Sequence, residues 1–397
     1  MEQDAERKGT CTATQAVHAG ETRDNWGHAL TAPISQTSTY AFEDSQAIEA
    51  FLADKTSRLD YGRYGSPTQA IAERKLAELE GAESALLFST GMSAVTTALL
   101  GMLASGQHAV VVDDCYKKTV LFCKTVLRKF GVETTFVRAG DYAGMEGAIR
   151  DNTRLIFSES PTNPHMNVLD LDRLVGIARS RGVKVIIDST FATPYNQRPV
   201  EFGVDLVIHS ATKDLGGHND LLAGVVAGAE SLVSAVRDYR GTLGGTIDPH
   251  CAYLLIRGLK TFPLRMARQN ETALALARFL EGHPKVRKVY YPGLASHPHH
   301  EVARAQMNGF GGVVSLDLDG DLKRTMAFLD RLRIPQIGAS LGGVESLVLH
   351  PASLSFYDLS REERLEMGIL DELVRYAVGV EDAEDLIADV AQALDAI

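Results

Sequence analysis

Asp205-Leu206-Val207-Ile208-His209-Ser210-Ala211-Thr212-Lys213-Asp214-Leu215-Gly216-Gly217-His218-Asn219 is the stretch on which the reading of this chain turns. Leu206-Val207-Ile208 is a short apolar run of the kind that forms a buried strand. Two small hydroxyl residues, a lysine and a Gly-Gly turn follow it. An amine at the end of a buried strand is costly unless it has a partner or stays neutral. A Schiff base to a carbonyl cofactor supplies a reason, because the amine becomes an imine. The hydroxyls of Ser210 and Thr212, just before it, would then bind that cofactor's phosphate. A lysine that simply leaves the core at a strand end explains the same segment, so its neighbours must decide.

On both sides of this segment, from about 66 to 250, short apolar runs alternate with helix-like segments. The expected strands are Ser84–Phe88, His108–Val112, Thr134–Val137, Arg154–Phe157, Val183–Ile187, Asp205–Ile208 and Gly224–Ala227. Thr68–Leu79, Met92–Leu103, Thr119–Phe130 and Leu171–Arg181 are the expected helices between them. Largely hydrophobic strands in such alternation predict an α/β architecture, a mainly parallel sheet covered on both faces. After about 256 the pattern changes. A long helix at Pro263–Glu281, strands at Lys288–Tyr291 and Gly311–Leu316, and helices at Leu322–Leu332 and Ala383–Leu394 predict a smaller α+β domain. The expected division is an arm at 1–60, a large domain at 61–255 and a C-terminal domain at 256–397. A length of 397 residues suits two domains with a large core.

Composition narrows the class of function. With 45% hydrophobic and 23% charged residues the chain reads as a soluble globular protein. Its formal charge of −11 argues against nucleic acid or an anionic membrane as a general partner. Met1–Lys8 is charged and leads into no apolar core, and the longest apolar runs are far too short to span a bilayer. The four cysteines form no CxxC pair and no zinc-type spacing, which fits thiols in a reducing compartment. A cytoplasmic protein is the expectation.

Several segments carry chemistry. Phe88-Ser89-Thr90-Gly91-Met92 ends a strand and opens a helix, an anion site built from free N–H groups and the helix dipole. Asp188 follows the apolar run Val185-Ile186-Ile187, placing a carboxylate at the carboxyl edge of the sheet. There it either caps a helix or holds a protonated ring nitrogen, as pyridoxal phosphate (PLP) requires. Tyr116, in Cys115-Tyr116-Lys117-Lys118-Thr119, offers a ring to stack on a flat cofactor, with two lysines for a distal anion. Tyr61 and Arg63 offer phosphate contacts from a segment that precedes the sheet, as expected of a piece donated across a subunit interface. Ser340-Leu341-Gly342-Gly343 and Arg375 would grip a carboxylate. His297-Pro298-His299-His300 lacks a carboxylate ligand set and reads as a loop, not a metal site. His209 reads as packing beside the lysine strand. The Gly338–Gly342 match to a nucleophile elbow lacks the strand–turn–helix context, and there is no GxGxxG or P-loop.

Together these segments resemble the Cys/Met-metabolism family of PLP enzymes, of aspartate-aminotransferase-like fold type I. The resemblance runs from about Val17 to Ile397. It rests, in order, on Tyr61-Gly62-Arg63, Ser89-Thr90-Gly91-Met92, Glu159-Ser160-Pro161-Thr162-Asn163-Pro164, Asp188, Ser210-Ala211-Thr212-Lys213, Ser340-Leu341-Gly342-Gly343 and Arg375. Within the family it looks closest to plant-type cystathionine γ-synthases, through Asp114–Thr119, Gly216–Asp220 and Tyr290–Leu294. The resemblance implies that Lys213 carries the cofactor as a Schiff base and acts as general base. It implies that Asp188 pairs with the pyridine nitrogen and Tyr116 stacks on the ring. Gly91, Met92, Ser210 and Thr212 would hold the phosphate, with Tyr61 and Arg63 reaching it from a neighbouring subunit. Asn163, Ser340, Arg375 and Lys118 would orient the substrate. The implied assembly is a homotetramer, a dimer of dimers. The implied reaction is γ-replacement on an O-activated homoserine by cysteine, giving cystathionine. A γ-lyase shares all these residues and is the alternative, and a PLP-fold binding protein without catalysis is a third. Three positions depart from the family: Ser66, the pair Tyr376-Ala377, and Asp214, where an aromatic residue is usual.

Overall fold

The computed structural model describes residues 11–22, 24–55 and 58–397; the charged Met1–Lys8 stretch lies outside the described residues. Seven strands build the large sheet: β1 (Ser84–Phe88), β2 (His108–Val112), β3 (Glu133–Val137), β4 (Thr153–Glu159), β5 (Lys184–Asp188), β6 (Leu206–His209) and β7 (Gly224–Gly228). Their order is β1-β7-β6-β5-β4-β2-β3. β3, β2, β4, β5 and β6 run parallel, and only β7 opposes its neighbours. Mainly parallel is what the unbroken apolar runs predict. A strand covered by helices on both faces gains from apolar residues on both faces, and β1, β2, β6 and β7 are buried along their whole length. Each fully buried Val, Leu or Ile contributes about 1.5–3 kcal/mol.

Helix boundaries follow local chemistry. Ser66 caps Pro67–Glu80, its hydroxyl accepting from Gln69 N–H, and Gly81 ends that helix with φ 72°. Thr90 caps Gly91–Met102 in the same way, through Ser93 N–H. The single helix expected at Thr119–Phe130 starts earlier, at Lys117, and passes into a π-turn over Cys123–Leu127.

The second sheet contains β8 (Val286–Tyr290), β9 (Val313–Leu318), β10 (Gln336–Ile337), β11 (Leu347–Leu349) and β12 (Leu373–Ala377), in the order β10-β11-β12-β9-β8. Only β8 and β9 are anticipated by the sequence. Helix Phe262–Glu281 belongs to both cores. Phe262 and Met266 pack with Leu255 and Leu259 under the large sheet, while Leu276 and Leu280 pack with Val314 and Val374 of the small one. No helix among the described residues is long and apolar enough to cross a membrane.

Candidate active site

Register brings the carboxyl ends of three strands together. Glu159 lies opposite Asp188, and Asp188 opposite Ile208, one residue before His209 and two before Ser210. Thr190 fixes this edge, donating from Oγ1 and from N–H to Asp188 Oδ1 at 2.5 and 3.0 Å, while its Oγ1 accepts from Ser210 N–H at 2.8 Å. Asp188 is pushed above the usual carboxylate range by burial, against the pull of the Thr190 donors and of His209. Glu159 is raised further, by burial and then by the charge of Asp188; its Oε2 accepts from Tyr116 N–H at 2.7 Å. Sequence reading gave Glu159 and Thr190 no role. The signal for Glu159 was weaker than that for Asp188, since Ser158 separates it from the apolar run Leu155-Ile156-Phe157.

Lys213 sits on the turn after β6. Its Nζ donates to Ser340 Oγ at 2.8 Å. Burial, then the Arg375 charge, lowers the amine to about 8, against an upward pull from Asp214. Arg375, on β12, is 4% exposed. Its Nη2 donates to Ser340 O at 2.9 Å and its Nη1 to Asn163 Oδ1 at 3.2 Å, while its buried Nε has no partner. Burial brings this guanidinium down to about 10, with Glu159 and Tyr116 opposing. One residue therefore joins amine and guanidinium: Ser340 meets Lys213 with its hydroxyl and Arg375 with its carbonyl.

A family match decides whose site this is. The family described as Cys/Met metabolism PLP-dependent enzyme matches residues 13–395. The chain belongs to that family. Cystathionine gamma-synthase 1, chloroplastic, of Arabidopsis thaliana is 49% identical over 384 residues, 96% of this chain and 68% of the relative. Cystathionine gamma-lyase of Bacillus subtilis is 42% identical, covering 97% of this chain and 99% of its own. The solved structure of metB from Corynebacterium glutamicum has a TM-score of 0.92 at 35% identity, covering 98% of both chains. The fold is accordingly PLP fold type I.

For a Cys/Met-metabolism enzyme the remaining question is how these residues fit PLP. At Gly91 the fit is tight. A Cβ there would lie 2.8 Å from Ser210 Cβ and 2.9 Å from its Oγ, so only glycine brings the helix start this close to the lysine strand. The N–H groups of Gly91 and Met92 open the helix above Ser210, a ready anion site. Asp188 keeps Oδ2 outside its Thr190 bonds, as a ring-nitrogen partner needs. Thr212 fits less simply. Its Oγ1 donates to Ala223 O at 3.2 Å and accepts from Ala223 N–H at 2.9 Å, so its proton has to turn to reach a phosphate. Tyr116 stands at this edge 45% exposed.

Other predicted members lie apart. Tyr61 and Arg63 are exposed, with Arg63 stacked 5.1 Å from the ring centres of both Tyr61 and Tyr64. The two lysines after Tyr116 part company: Lys117 is tied to Asp358 and to Ser355 O, whereas Lys118 is exposed. His209 is no bystander. Its Nε2 lies 2.9 Å from Glu80 Oε2, both side chains being buried, and although burial opposes it, the Glu80 carboxylate holds His209 above its ordinary range. In the His297–His300 loop, His299 Nδ1 accepts from Val168 N–H and His300 Nδ1 meets Pro292 O. Among the described residues no cluster suited to a metal ion is present.

Proposed function

We propose that this protein is a cystathionine γ-synthase-like transferase, joining cysteine to an O-activated homoserine by γ-replacement. The observation that carries the amino-acid part of the reading is the Ser340 bridge. It holds a proton-transfer amine and a buried guanidinium with an unmatched N–H in one unit, as an α-amino acid with a free carboxylate requires. A buried N–H left without an acceptor costs about 1–3 kcal/mol, so a substrate carboxylate is a natural partner for the Arg375 Nε. The 49% identity to the Arabidopsis thaliana synthase supports the same assignment.

When bound, PLP supplies an electron sink that acidifies hydrogens on the amino acid. Lys213 Nζ, lowered to about 8, takes and returns those protons near neutral pH. Asp188 holds the ring nitrogen in its protonated form, and Tyr116 covers a ring face. Gly91, Met92, Ser210 and Thr212 bind the phosphate, completed by Tyr61 and Arg63 of a neighbouring subunit in a homotetramer. The exposure of both residues in the single chain supports that arrangement. Asn163, Ser340 and Arg375 bind the carboxylate, and Lys118, freer than Lys117, takes the distal anion. Four unpaired thiols among the described residues suit a reducing compartment such as the cytoplasm.

A γ-lyase reading has its own support in the Bacillus subtilis relative, which the chain matches almost end to end. Offering O-succinyl-, O-acetyl- and O-phosphohomoserine with and without cysteine separates the two. Cysteine-dependent cystathionine upholds the synthase; 2-oxo acid and ammonia released regardless of thiol overturn it.

A further inference from the structure

Beside the reactive lysine lies a carboxyl that the catalytic assignment does not use. Asp214 is 4% exposed, on the same turn as Lys213. Its carboxyl is wedged against the 340–343 loop: a Cβ on Gly342 would fall 2.6 Å from Asp214 Oδ2 and 2.4 Å from its backbone N. Gly342 has φ 76°, so the loop turns tightly at this contact. The loop itself carries no charged side chain from Ser340 to Gly343. Two cations face Asp214. Arg265, from helix Phe262–Glu281, spends its guanidinium on backbone oxygens, Nη1 on Asp214 O at 2.6 Å and Nη2 on Gly258 O at 2.9 Å. Its Nε goes to Thr261 Oγ1 at 3.3 Å, and among the described residues it makes no salt bridge to the Asp214 carboxyl. Lys213 is the other cation, and Arg375 in turn faces Lys213.

Arg265 is the stronger of the two charges acting on Asp214 but keeps its proton, so the group whose protonation the buried carboxylate biases is the one of the two that titrates. That group is the Lys213 nitrogen. Resting on the PLP reading above, we propose that Asp214 is a positioning residue for Lys213: its carboxylate favours the protonated lysine nitrogen and, packed on Gly342, seats the loop that brings Ser340 to it. Burial raises Asp214 itself to about 6, so this charge is present at neutral pH and fades as pH falls through 6. Removing an anion next to a cation weakens proton binding there, so the neutral form of the lysine nitrogen is reached at lower pH without Asp214.

The test uses wild type, Asp214→Asn and Asp214→Glu, each reconstituted with PLP and titrated by cofactor absorbance between about pH 6 and 10. The Asn variant is expected to titrate on the order of one pH unit lower than wild type, and the Glu variant close to wild type. A merely structural role leaves the midpoint where it is, so an Asn variant that titrates with wild type overturns the proposal while leaving the PLP assignment intact. A wild type that takes up no PLP overturns both. Should Asp214→Asn not fold, Asp214→Ser takes its place in the same titration. Thermal unfolding without cofactor gives a second readout. A folded-state carboxyl raised above its unfolded value costs stability above pH 6 and not below the unfolded pKa near 4. The Asn variant should therefore unfold at a higher temperature than wild type at pH 7.5, with the gap closing toward pH 4; a gap constant with pH counts against the charge.

Discussion

Arg375 and Arg63 are the same side chain in opposite circumstances. Arg375 is buried on β12, held by Asn163 and Ser340 with one N–H unmatched; Arg63 lies on the surface, stacked on two tyrosines. The first guanidinium has already lost its water and keeps one N–H unmatched. The second still has its water and gains little until something covers it. Much of the site is thus preorganised by this chain's own folding, and the Tyr61–Tyr64 segment is the part that, in the proposed assembly, waits on a neighbour.

The largest effect expected on the preorganised side is that of Lys213→Ala, which should lower kcat by about 10⁴-fold and abolish absorbance that depends on this lysine. Unchanged absorbance would remove the amine from the chemistry. Arg375→Leu comes next. It should lower kcat/KM for amino-acid substrates about 10²- to 10³-fold, matching the loss of a buried charge-assisted contact. The same substitution should change the unfolding temperature of the substrate-free protein little, because the desolvation cost it removes is offset by the loss of the Asn163 and Ser340 contacts and of the Glu159 charge facing it. A large fall would show that its protein partners, not a substrate, account for its burial. Arg63→Ala tests the other half: PLP affinity should weaken about 10-fold or more, with no change in the unfolding temperature of the cofactor-free chain. Equal losses in both measurements would make Arg63 a structural residue of its own chain. The smallest effect is a pH dependence. Only the neutral amine attacks a carbonyl, so the rate at which cofactor-free protein takes up PLP should rise with pH through about 8, where Lys213 loses its proton. A rise delayed to the range of an ordinary lysine would mean that burial does not tune it.

Legibility from sequence followed the same divide. Strands such as Ser84–Phe88 and His108–Val112 were readable to the residue because both faces are buried and the apolar run is unbroken. Asp188 and Lys213 drew attention because each ends an apolar run, and their neighbours, not the run itself, argued for chemistry over an N-cap or a strand-end lysine. β12 was not, since Leu373-Val374-Arg375-Tyr376-Ala377 places an arginine in mid-strand and all five residues are buried. Its burial depends on Asn163 and Ser340, 212 and 35 residues away, which no local pattern reports. The helices Glu230–Leu243 and Pro249–Leu259 were also passed over. Lys117 and Lys118 looked equivalent because adjacency in sequence says nothing of Asp358, 241 residues on. Thr212, read as an anion ligand, also exchanges hydrogen bonds with Ala223, which no local pattern announces.

Helix Phe262–Glu281 has a bearing on how hybrids of this enzyme with its relatives should be cut. Because its first turns complete one core and its last turns the other, a crossover placed just before it would graft foreign Phe262 and Met266 counterparts beneath the lysine's own sheet. A seam after the helix, in the turn that precedes β8, keeps that underside native and exchanges the whole small sheet, Arg375 included. Chimeras joined there would keep the sheet that carries Lys213 and exchange Ser340 and Arg375, the two residues through which the small domain reaches that lysine.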